Sequence, residues 1–463
     1  MCTAPAVTIA SSDLRGFLDL LRRYRPRDLI EVSRQVNPKF ETAAILTKFE
    51  QSFRFPVLLF RSVAGSEYSV VTNVCGSPGR LALALQCSVS DLPKVYAQRS
   101  AQPIKPTIES TTAVQERVFL SSHVDLGALP QLIYHMDDSP ASYITGAIVV
   151  ARDPENGKSN LSFHRLMIRD SNTTAIFMAR GKHLHRIYQK YESQRQEMPI
   201  AAFIGVHPTC SLGALYTGSA DVEEYDIIGG LRGSALPLAR CVTNDLNIPA
   251  EAEFALEGFV PPRERVEEGP FGEFTGYSSG TMLVPTFKVE AITSRRDPLY
   301  QDILSGHAEH LLLPKLSMEY ELLRIARDVA PTTESVRLTL PLTAFLSLRK
   351  MDDDEPRRVI DALLANDIYV KQVIVVDADV DISDLRQVST AIALHVRPDR
   401  DVSIKPHVPL TELDPAGDPR DGLTSKLGID ATVKSCSSRR ITKNQIPQHL
   451  LDSINLSEFV KAE

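Results

Sequence analysis

The chain has 463 residues but no tryptophan, and only 6% of its residues are aromatic. It contains no run of about 18 apolar residues, so we expect neither a membrane-spanning helix nor a membrane partner. Acidic residues outnumber basic residues by 58 to 51, and the net charge of −7 gives no support for a nucleic-acid partner. The composition therefore favours a globular enzyme or binding protein of about two or three domains.

Cysteines are few and scattered, and none belongs to a CxxC pair. This distribution favours reduced thiols over a disulfide framework or a zinc ribbon. The N-terminus lacks a basic region followed by an apolar stretch, so it does not read as a signal peptide. We therefore expect a cytoplasmic protein. The cysteines are Cys2, Cys75, Cys87, Cys210, Cys241 and Cys436.

The most informative segment that is present is 268–273, with the sequence Glu-Gly-Pro-Phe-Gly-Glu. Glycine and proline favour tight backbone shapes, so this turn can hold the carboxylates of Glu268 and Glu273 at a defined separation. Two acids held close together have pKa values that are pushed apart, and one can then carry a proton near neutral pH. A surface loop in an acidic protein is the alternative interpretation.

Three regions of different pattern follow one another, which predicts a multidomain α/β (α+β) fold. Residues 1–110 mix predicted helices and strands and end in a proline-containing linker. Residues 111–315 are mainly short β-rich runs, such as 161–168, which is typical of a barrel or sandwich with inserted helices. Residues 316–440 alternate strands and helices, which predicts a small sheet covered by helices. Residues 441–463 are predicted to form a C-terminal helix or tail.

The β-rich region carries a first group of polar residues. Strand alternation places Asn160, Ser162 and His164 on one face and Arg165 on the other. Asparagine supplies a neutral oxygen ligand, and arginine supplies a fixed cation for carboxylate or phosphate. Taken alone, a partly exposed strand explains this pattern equally well.

A predicted helix that opens near Lys182 and His183 carries a second group. A helix N-terminus with a lysine suits an anion such as phosphate, and a histidine there could bind a metal ion. Glu223 and Glu224 follow in an acidic segment that reads by default as a surface turn. Asparagine, histidine and glutamate together would form a mixed nitrogen and oxygen site that suits manganese or magnesium.

His307 and His310 flank an Ala-Glu pair, but their spacing does not match the HExxH or HxxEH zinc motifs. We interpret the segment as a pocket wall or as a satisfied polar turn. A simple metal hydrolase that uses these two histidines is the alternative function for the chain.

The order and spacing of these elements resemble the UbiD family of reversible decarboxylases, which use prenylated FMN. Asn160 and Arg165 are five positions apart, and His183 follows Asn160 by 23. Glu224 precedes Glu268 by 44 positions. The resemblance covers most of the chain and includes the segment 425–432 near its end. It implies a central split β-barrel that binds the flavin and a C-terminal α/β domain that mediates dimer formation.

The resemblance implies roles for individual residues. Arg165, Glu268 and Glu273 match the catalytic set of the family. Asn160, His183 and Glu224 match the ligands of a divalent ion, usually manganese, that bridges to the cofactor phosphate. Contacts to the cofactor are implied for Ser162, Arg165, Lys182 and Lys426. A potassium ion is implied near residues 213–224.

Resemblance and chemistry together predict the reaction. Loss of CO2 from an sp2 carbon needs an electron sink that side chains do not provide, so a cofactor must supply it. Arg165 would hold the carboxylate, Glu273 would donate the replacing proton, and Glu268 would lie between them. The implied partners are a small carboxylic acid, CO2, a flavin prenyltransferase that supplies the cofactor, and a second copy of the chain.

Substrate choice is expected to depend on residues that face the flavin. The segment 305–310 and Leu313 are the candidates for that wall, and its histidines favour an aromatic or heteroaromatic acid over a cinnamate-like or aliphatic one. A non-catalytic protein that binds flavin or another ligand on the same fold is a further alternative. The intact set of Arg165, Glu268 and Glu273 argues against it.

Overall fold

A computed structural model describes residues 13–459 apart from 219–221, 341, 367–368, 410–413, 419, 421–422, 436–443, 445 and 456–457. Its N-terminal helix is capped by Asp13, whose side chain accepts a hydrogen bond from the Gly16 N–H at 2.9 Å. The apolar residues on one face of that helix are buried, as their helical spacing requires. The elements of this region are α1 Leu14–Tyr24, β1 Leu29–Val32, α2 Glu41–Gln51, β2 Val57–Phe60, β3 Ser69–Thr72, α3 Pro78–Ala84 and α4 Leu92–Ser100.

The central region is rich in short strands, as predicted. Its strands and helices up to the middle of the region are β4 Thr107–Ile108, β5 Arg117–Leu120, β6 Tyr143–Ile144, β7 Ile148–Arg152, β8 Ser159–Phe163, β9 Leu166–Ile168, β10 Thr173–Ile176, α5 His183–Ser193, β11 Met198–Ile204 and α6 Pro208–Gly213. The remainder are α7 Glu224–Arg232, β12 Pro237–Arg240, β13 Asn247–Pro249, β14 Phe254–Val260, β15 Arg265–Glu268, β16 Met282–Ser294, β17 Leu299–Asp302 and α8 Ala308–Leu312.

The main central sheet runs in the order β6-β9-β10-β16-β14-β11-β7-β8, with β5 and β15 also paired to β16. It is not a closed barrel, because within the described residues this hydrogen-bonded path begins at β6 and ends at β8. The N-terminal sheet has the order β1-β2-β3-β17, so a strand from the end of the central region completes it. A small sheet, β13-β12-β4, stands apart.

The C-terminal region is a mixed sheet of order β18-β19-β20-β22-β21 with helices packed on it. Strand β20 is largely buried: Val370 and residues 373–376 are buried, and Lys371, Gln372 and Asp377 are half-buried. The multidomain mixed α/β fold is thus confirmed. The elements are α9 Lys315–Val329, β18 Thr333–Leu340, β19 Leu342–Leu348, α10 Glu355–Asn366, β20 Val370–Asp377, α11 Leu385–His395, α12 Pro398–Asp401, β21 Val402–Pro409, β22 Leu423–Asp430 and α13 Gln448–Ser453.

Two expectations concern the cysteines and the membrane. Cys75, Cys87, Cys210 and Cys241 are free thiols, whereas Cys2 and Cys436 lie outside the described residues. Among the helices that the structure describes, none has both the length and the apolar character needed to cross a bilayer.

Candidate active site

Arg165 lies in a break between two strands. The predicted single strand 161–168 is wrong: β8 ends at Phe163, pairs with β7, and β9 then pairs with β6 and β10. The change of partner strand interrupts the ladder at His164 and Arg165. The guanidinium of Arg165 consequently points toward the end of β15, where Glu268 stands.

Arg165 joins the two glutamates of the 268–273 turn. Its Nε and Nη2 atoms donate to Oε1 and Oε2 of Glu268 at 2.7 and 2.9 Å, which is a bidentate ion pair. Its Nη1 donates to Oε1 of Glu273. All three side chains are largely buried, with 9% of Arg165, none of Glu268 and 5% of Glu273 exposed. The two predicted acids therefore share one buried cation.

Aromatic rings enclose this cation. The Arg165 Cζ lies 4.2 Å from the ring centroid of Phe177 and 5.1 Å from that of Phe271. The Tyr143 ring packs against Phe271, with centroids 4.4 Å apart. Such contacts stabilise a guanidinium and restrict its side chain to one orientation.

The turn itself is held by polar contacts on both sides. A side chain on Gly269 would meet the Gly280 carbonyl at 2.1 Å, and its φ of +97° also favours glycine. The Gly269 N–H donates to the Tyr143 hydroxyl at 3.1 Å, and the Gly272 N–H donates to Oδ1 of Asp138 at 2.8 Å. The interpretation of the turn as a rigid holder of two acids agrees with this packing.

Burial raises the pKa of Glu273 to about 6, against the opposing effect of Arg165 and with a further increase from the charge of Glu268. Near neutral pH both of its protonation states are therefore accessible. The ionised form pairs with Arg165, and the protonated form can donate. Despite desolvation, the two glutamates raise the pKa of Arg165, so it stays charged.

His164 and Ser162 form a neutral pair beside this cluster. The Nδ1–H of His164 donates to the Phe177 carbonyl at 2.8 Å, which leaves Nε2 to accept from the Ser162 hydroxyl at 2.9 Å. Burial, together with the nearby Arg165 charge, lowers the pKa of His164 to about 4. Its position before Arg165 therefore adds no charge to the site near neutral pH.

Asn160, near the start of β8, meets Glu224, the first residue of α7. The Nδ2 of Asn160 donates to Oε1 of Glu224 at 2.8 Å, and the Leu161 N–H donates to Oε2 at 3.0 Å. The Oδ1 of Asn160 is buried without a hydrogen-bond partner among the described residues. Burial raises the pKa of Glu224 to about 7. Within the described residues, neither this oxygen nor the Glu224 carboxylate has a cationic partner, and a cation would complete such an environment.

His183 is the first residue of α5, and α5 and α7 both pack against β8. Desolvation and the charges of Arg186 and Lys182 lower the pKa of His183, so the ring is neutral and able to bind a metal ion. Among the residues that the structure describes, no cluster of three His, Cys, Asp or Glu side chains is placed to hold a metal ion. The predicted set has asparagine as its third member, and its oxygen and nitrogen donors fit manganese.

Lys182 and Lys426 lie in different parts of the molecule. The Nζ of Lys182 lies 4.6 Å from the ring centroid of Tyr369. Lys426 is buried in the C-terminal region, where its Nζ donates to the Leu364 carbonyl at 2.8 Å. This hydrogen bond of Lys426 thus lies within the C-terminal region. Part of the predicted potassium segment, 219–221, is outside the described residues.

The predicted wall divides into two parts. His310 accepts at Nδ1 from the Gly306 N–H at 3.2 Å, so its proton is on Nε2, and burial lowers its pKa to about 4. A side chain on Gly306 would come within 3.2 Å of the Glu273 carbonyl, which places this loop against the 268–273 turn. Leu313, in contrast, is buried in the core of the N-terminal region.

His307 and Glu309 have hydrogen-bond partners in different elements. The Nδ1 of His307 lies 2.6 Å from Oε2 of Glu50 in α2. Glu309 is buried and accepts from the Cys75 N–H at 2.7 Å. His307 and His310 thus each engage Nδ1 in a separate hydrogen bond. The interpretation of the segment as a pocket wall applies to His310.

Four supporting residues are missing from the sequence-based prediction. Tyr143 and Asp138 fix the turn, Phe177 lies over Arg165, and Tyr369 contacts Lys182. The Asp-Asp-Ser-Pro sequence at 137–140 is a turn pattern that could have drawn attention to Asp138. The aromatic rings of Tyr143, Phe177 and Tyr369 have no local sequence signal, because they reach the site only through long-range packing.

Comparisons with known protein families match almost the whole chain. Residues 20–100 match the N-terminal domain of 3-octaprenyl-4-hydroxybenzoate carboxy-lyase. Residues 106–308 match its Rift-related UbiD domain, and residues 312–431 match its C-terminal domain.

Individual relatives match more than nine tenths of the chain. Anhydromevalonate phosphate decarboxylase of Methanothermobacter thermautotrophicus is 30% identical over 93% of this chain and 99% of its own. Phenolic acid decarboxylase of a Streptomyces species is 31% identical over 92% of this chain and 93% of its own.

Solved structures agree with these matches. The UbiD-class enzyme HmfF from Pelotomaculum thermopropionicum, in complex with FMN, is 33% identical, covers 97% of this chain and 100% of its own, and has a TM-score of 0.87. An evolved dimeric form of HmfF in complex with prFMN is 32% identical over the same shares, with a TM-score of 0.86.

Proposed function

The chain belongs to the UbiD family of carboxy-lyases, and from this premise we propose that it catalyses the reversible, non-oxidative decarboxylation of an unsaturated or aromatic carboxylic acid. The observation that carries the proposal is the buried cluster in which Arg165 joins Glu268 to Glu273. The binding of FMN and prFMN by the related HmfF structures supports a prenylated flavin as the cofactor.

Arg165 is proposed to hold the substrate carboxylate. A guanidinium has five N–H donors, and three of them serve Glu268 and Glu273. The remaining donors can bind a carboxylate as a planar fork. Because Phe177 and Phe271 restrict the guanidinium, the departing CO2 group is presented in one orientation.

Glu273 is proposed to donate the proton that replaces CO2. When the carbon–carbon bond breaks, CO2 leaves without the bonding electron pair, and the Glu273 carboxyl proton then moves to the carbon that carried the carboxylate. The glutamate becomes a carboxylate that pairs with Arg165 until solvent restores its proton. A pKa of about 6 suits both halves of this cycle near neutral pH.

We assign the cofactor to the part of the site that carries the proposed metal-ligand residues. Asn160, His183 and Glu224 would hold a divalent ion such as manganese, next to the cofactor phosphate. Ser162 and Lys182 would contact the flavin. When bound, prenylated FMN supplies the electron sink for the bond cleavage, which no side chain can provide. A phosphate contact for Lys426 and a potassium ion near 213–224 remain predictions.

The rings around the site favour an aromatic or heteroaromatic acid. Phe274 follows Glu273 directly and lies edge-on to the His310 ring, with centroids 6.1 Å apart. Neutral His310 can donate from Nε2 to a ring heteroatom or hydroxyl. The Streptomyces relative, a phenolic acid decarboxylase, is compatible with such a substrate.

The two alternatives have less support. A hydrolase that uses His307 and His310 is disfavoured, because within the described residues no cluster of three His, Cys, Asp or Glu side chains is placed to hold a metal ion. A non-catalytic flavin-binding protein would not need a buried acid with a raised pKa beside a buried arginine.

Domain division and assembly complete the proposal. We divide the chain into 1–110, 111–315, 316–440 and 441–463, as predicted. A homodimer would form through the C-terminal region, where Ile404 on the edge strand β21 and Leu394 of α11 are 65% and 71% exposed. A flavin prenyltransferase would supply the cofactor.

The test is co-expression with a flavin prenyltransferase, followed by a screen of aromatic, heteroaromatic and aliphatic unsaturated acids for CO2 release and for exchange of hydrogen with deuterated solvent. We expect a flavin absorbance spectrum, bound manganese and turnover of at least one aromatic acid. A purified protein without flavin, or one with flavin that is inert toward the entire panel, would contradict the proposal.

A further inference from the structure

Tyr369, immediately before β20, links the C-terminal region to the candidate site. Its ring centroid lies 4.6 Å from the Nζ of Lys182 and 6.1 Å from the centroid of Phe274, at an interplanar angle of 69°. Lys182 is the N-cap residue of α5 and precedes His183, and Phe274 follows Glu273. One ring thus contacts both the proposed cofactor side and the proton-donating side of the site.

The contacts continue past Tyr369. Phe274 is also edge-on to His310, so Lys182, Tyr369, Phe274 and His310 form an unbroken series of side chains. The first and the last two of these belong to the central region, and Tyr369 alone belongs to the C-terminal region. The two regions therefore meet at the site itself.

We propose that Tyr369 is a positioning residue of the candidate site, which holds the Lys182 ammonium where it can contact the flavin and supports Phe274 beside Glu273. This inference rests on the proposed function. Lysine has a long flexible side chain, and a cation held over an aromatic face loses much of that freedom before the ligand arrives. Lys182 is thereby held in a fixed place.

A different origin for the contact would be simple packing between domains. Packing requires bulk, whereas the proposed role requires an aromatic face opposite a charge. Tyr369→Phe keeps the ring, Tyr369→Leu keeps apolar bulk without a ring, and Lys182→Met keeps the stem of Lys182 without its charge. The three variants therefore separate the two origins. Lys39→Met is a matched control, because the Nζ of Lys39 lies 5.2 Å from the Phe40 ring, in a different part of the fold.

The experiment measures FMN binding in the presence of Mn²⁺ by quenching of flavin fluorescence, with circular dichroism to verify that each variant is folded. We expect Tyr369→Leu to weaken FMN binding about fivefold, the scale of one half-buried cation–π contact. Lys182→Met also loses the proposed flavin contact, so it should weaken FMN binding at least as much. Because Tyr369 acts through Lys182, the double variant should be about as weak as Lys182→Met. Tyr369→Phe and Lys39→Met should bind FMN as the unmodified chain does.

Four results would overturn the inference. If folded Tyr369→Leu bound FMN unchanged, the proposed role of Tyr369 would be contradicted. The same holds if the two single effects multiplied in the double variant. Neither result would touch the proposed function. Equal weakening by Tyr369→Phe and Tyr369→Leu would show that the hydroxyl, not the ring, matters. Failure of the unmodified chain to bind FMN would overturn the proposed function and this inference with it, so the two failures are distinguishable.

Discussion

The two halves of the candidate site differ in how completely their polar groups are satisfied. Beyond the end of β8, Arg165 and its two glutamates pair their charges through charge-assisted hydrogen bonds. Near the start of β8, Asn160 has a buried oxygen without a partner in the described part of the chain, and burial raises the pKa of Glu224 to about 7. In the first half the charges are paired by protein groups, whereas the second has the chemistry of a site that a cation would complete.

This difference indicates how the work is divided. Proton transfer needs groups held in place before the substrate arrives, and the paired cluster provides them. Cofactor binding needs a counter-charge for a phosphate, which an incompletely satisfied carboxylate and amide can supply through a metal ion. Mutations should therefore affect folding and turnover on the first side but metal and cofactor binding on the second.

The largest effect is expected at Arg165. Arg165→Met leaves Glu268 and Glu273 buried without a counter-charge, and we expect the free energy of unfolding to fall by about 3–5 kcal/mol. Arg165→Lys keeps the charge but loses the fork, and kcat/KM should fall by at least about 100-fold. Denaturant unfolding and CO2 release measure the two effects. Arg169→Lys, at an exposed site, is the control, and an Arg165→Met variant as stable as the parent would contradict the paired cluster.

A smaller effect concerns stability and pH. Because the pKa of Glu273 is raised to about 6 in the folded state, ionising it costs more there than in the unfolded chain. The contribution of Glu273 to the free energy of unfolding should consequently fall by about 2 kcal/mol as the pH rises from about 4 to about 7. The difference from Glu273→Gln, which does not titrate, isolates this contribution. Parallel pH profiles for the two proteins would be inconsistent with a raised pKa.

On the cation side, Asn160→Leu should leave the fold intact and weaken Mn²⁺ binding by at least about tenfold, because an oxygen ligand is lost. Calorimetric titration with Mn²⁺ in the presence of FMN measures the change. Asn156→Ala, in the exposed turn before β8, should bind Mn²⁺ normally. Equal affinity in Asn160→Leu and Asn156→Ala would remove Asn160 from the ligand set.

The smallest effect tests the coupling between the two acids. The charge of Glu268 contributes to the raised pKa of Glu273. Glu268→Gln removes that charge, so the pKa of Glu273 should fall and the activity loss on the alkaline side should begin at a lower pH. A pH–rate profile for kcat measures this shift. A shift in the opposite direction would show that Glu268 acts mainly through Arg165.

Much of this comparison could be predicted from the sequence. Glu268 and Glu273 are separated by a short segment in which only glycine fits readily at position 269. The closeness of the two acids is therefore a local property. The resemblance to the family added Arg165 as their partner, and the structure brings the three together.

Other features depend on tertiary structure and could not be predicted. Alternation continues through His164 and Arg165, so the break between β8 and β9 follows only from the change of partner strand. Leu313 is equally apolar in a wall or in a core, and packing places it in the core. Tyr369 reaches Lys182 from another region of the chain, with no local pattern to indicate the contact.

The central claim is that Glu273 returns the proton that replaces CO2. Its most direct test compares the unmodified chain with Glu273→Gln, both loaded with prenylated FMN and turning over an accepted acid in deuterated water. We predict that the parent places deuterium at the carbon that carried the carboxylate, and that Glu273→Gln, with equal cofactor content and an intact fold, is slower by about 10²–10⁴-fold. Equal rates of CO2 release and of deuterium incorporation in the two proteins would contradict the account.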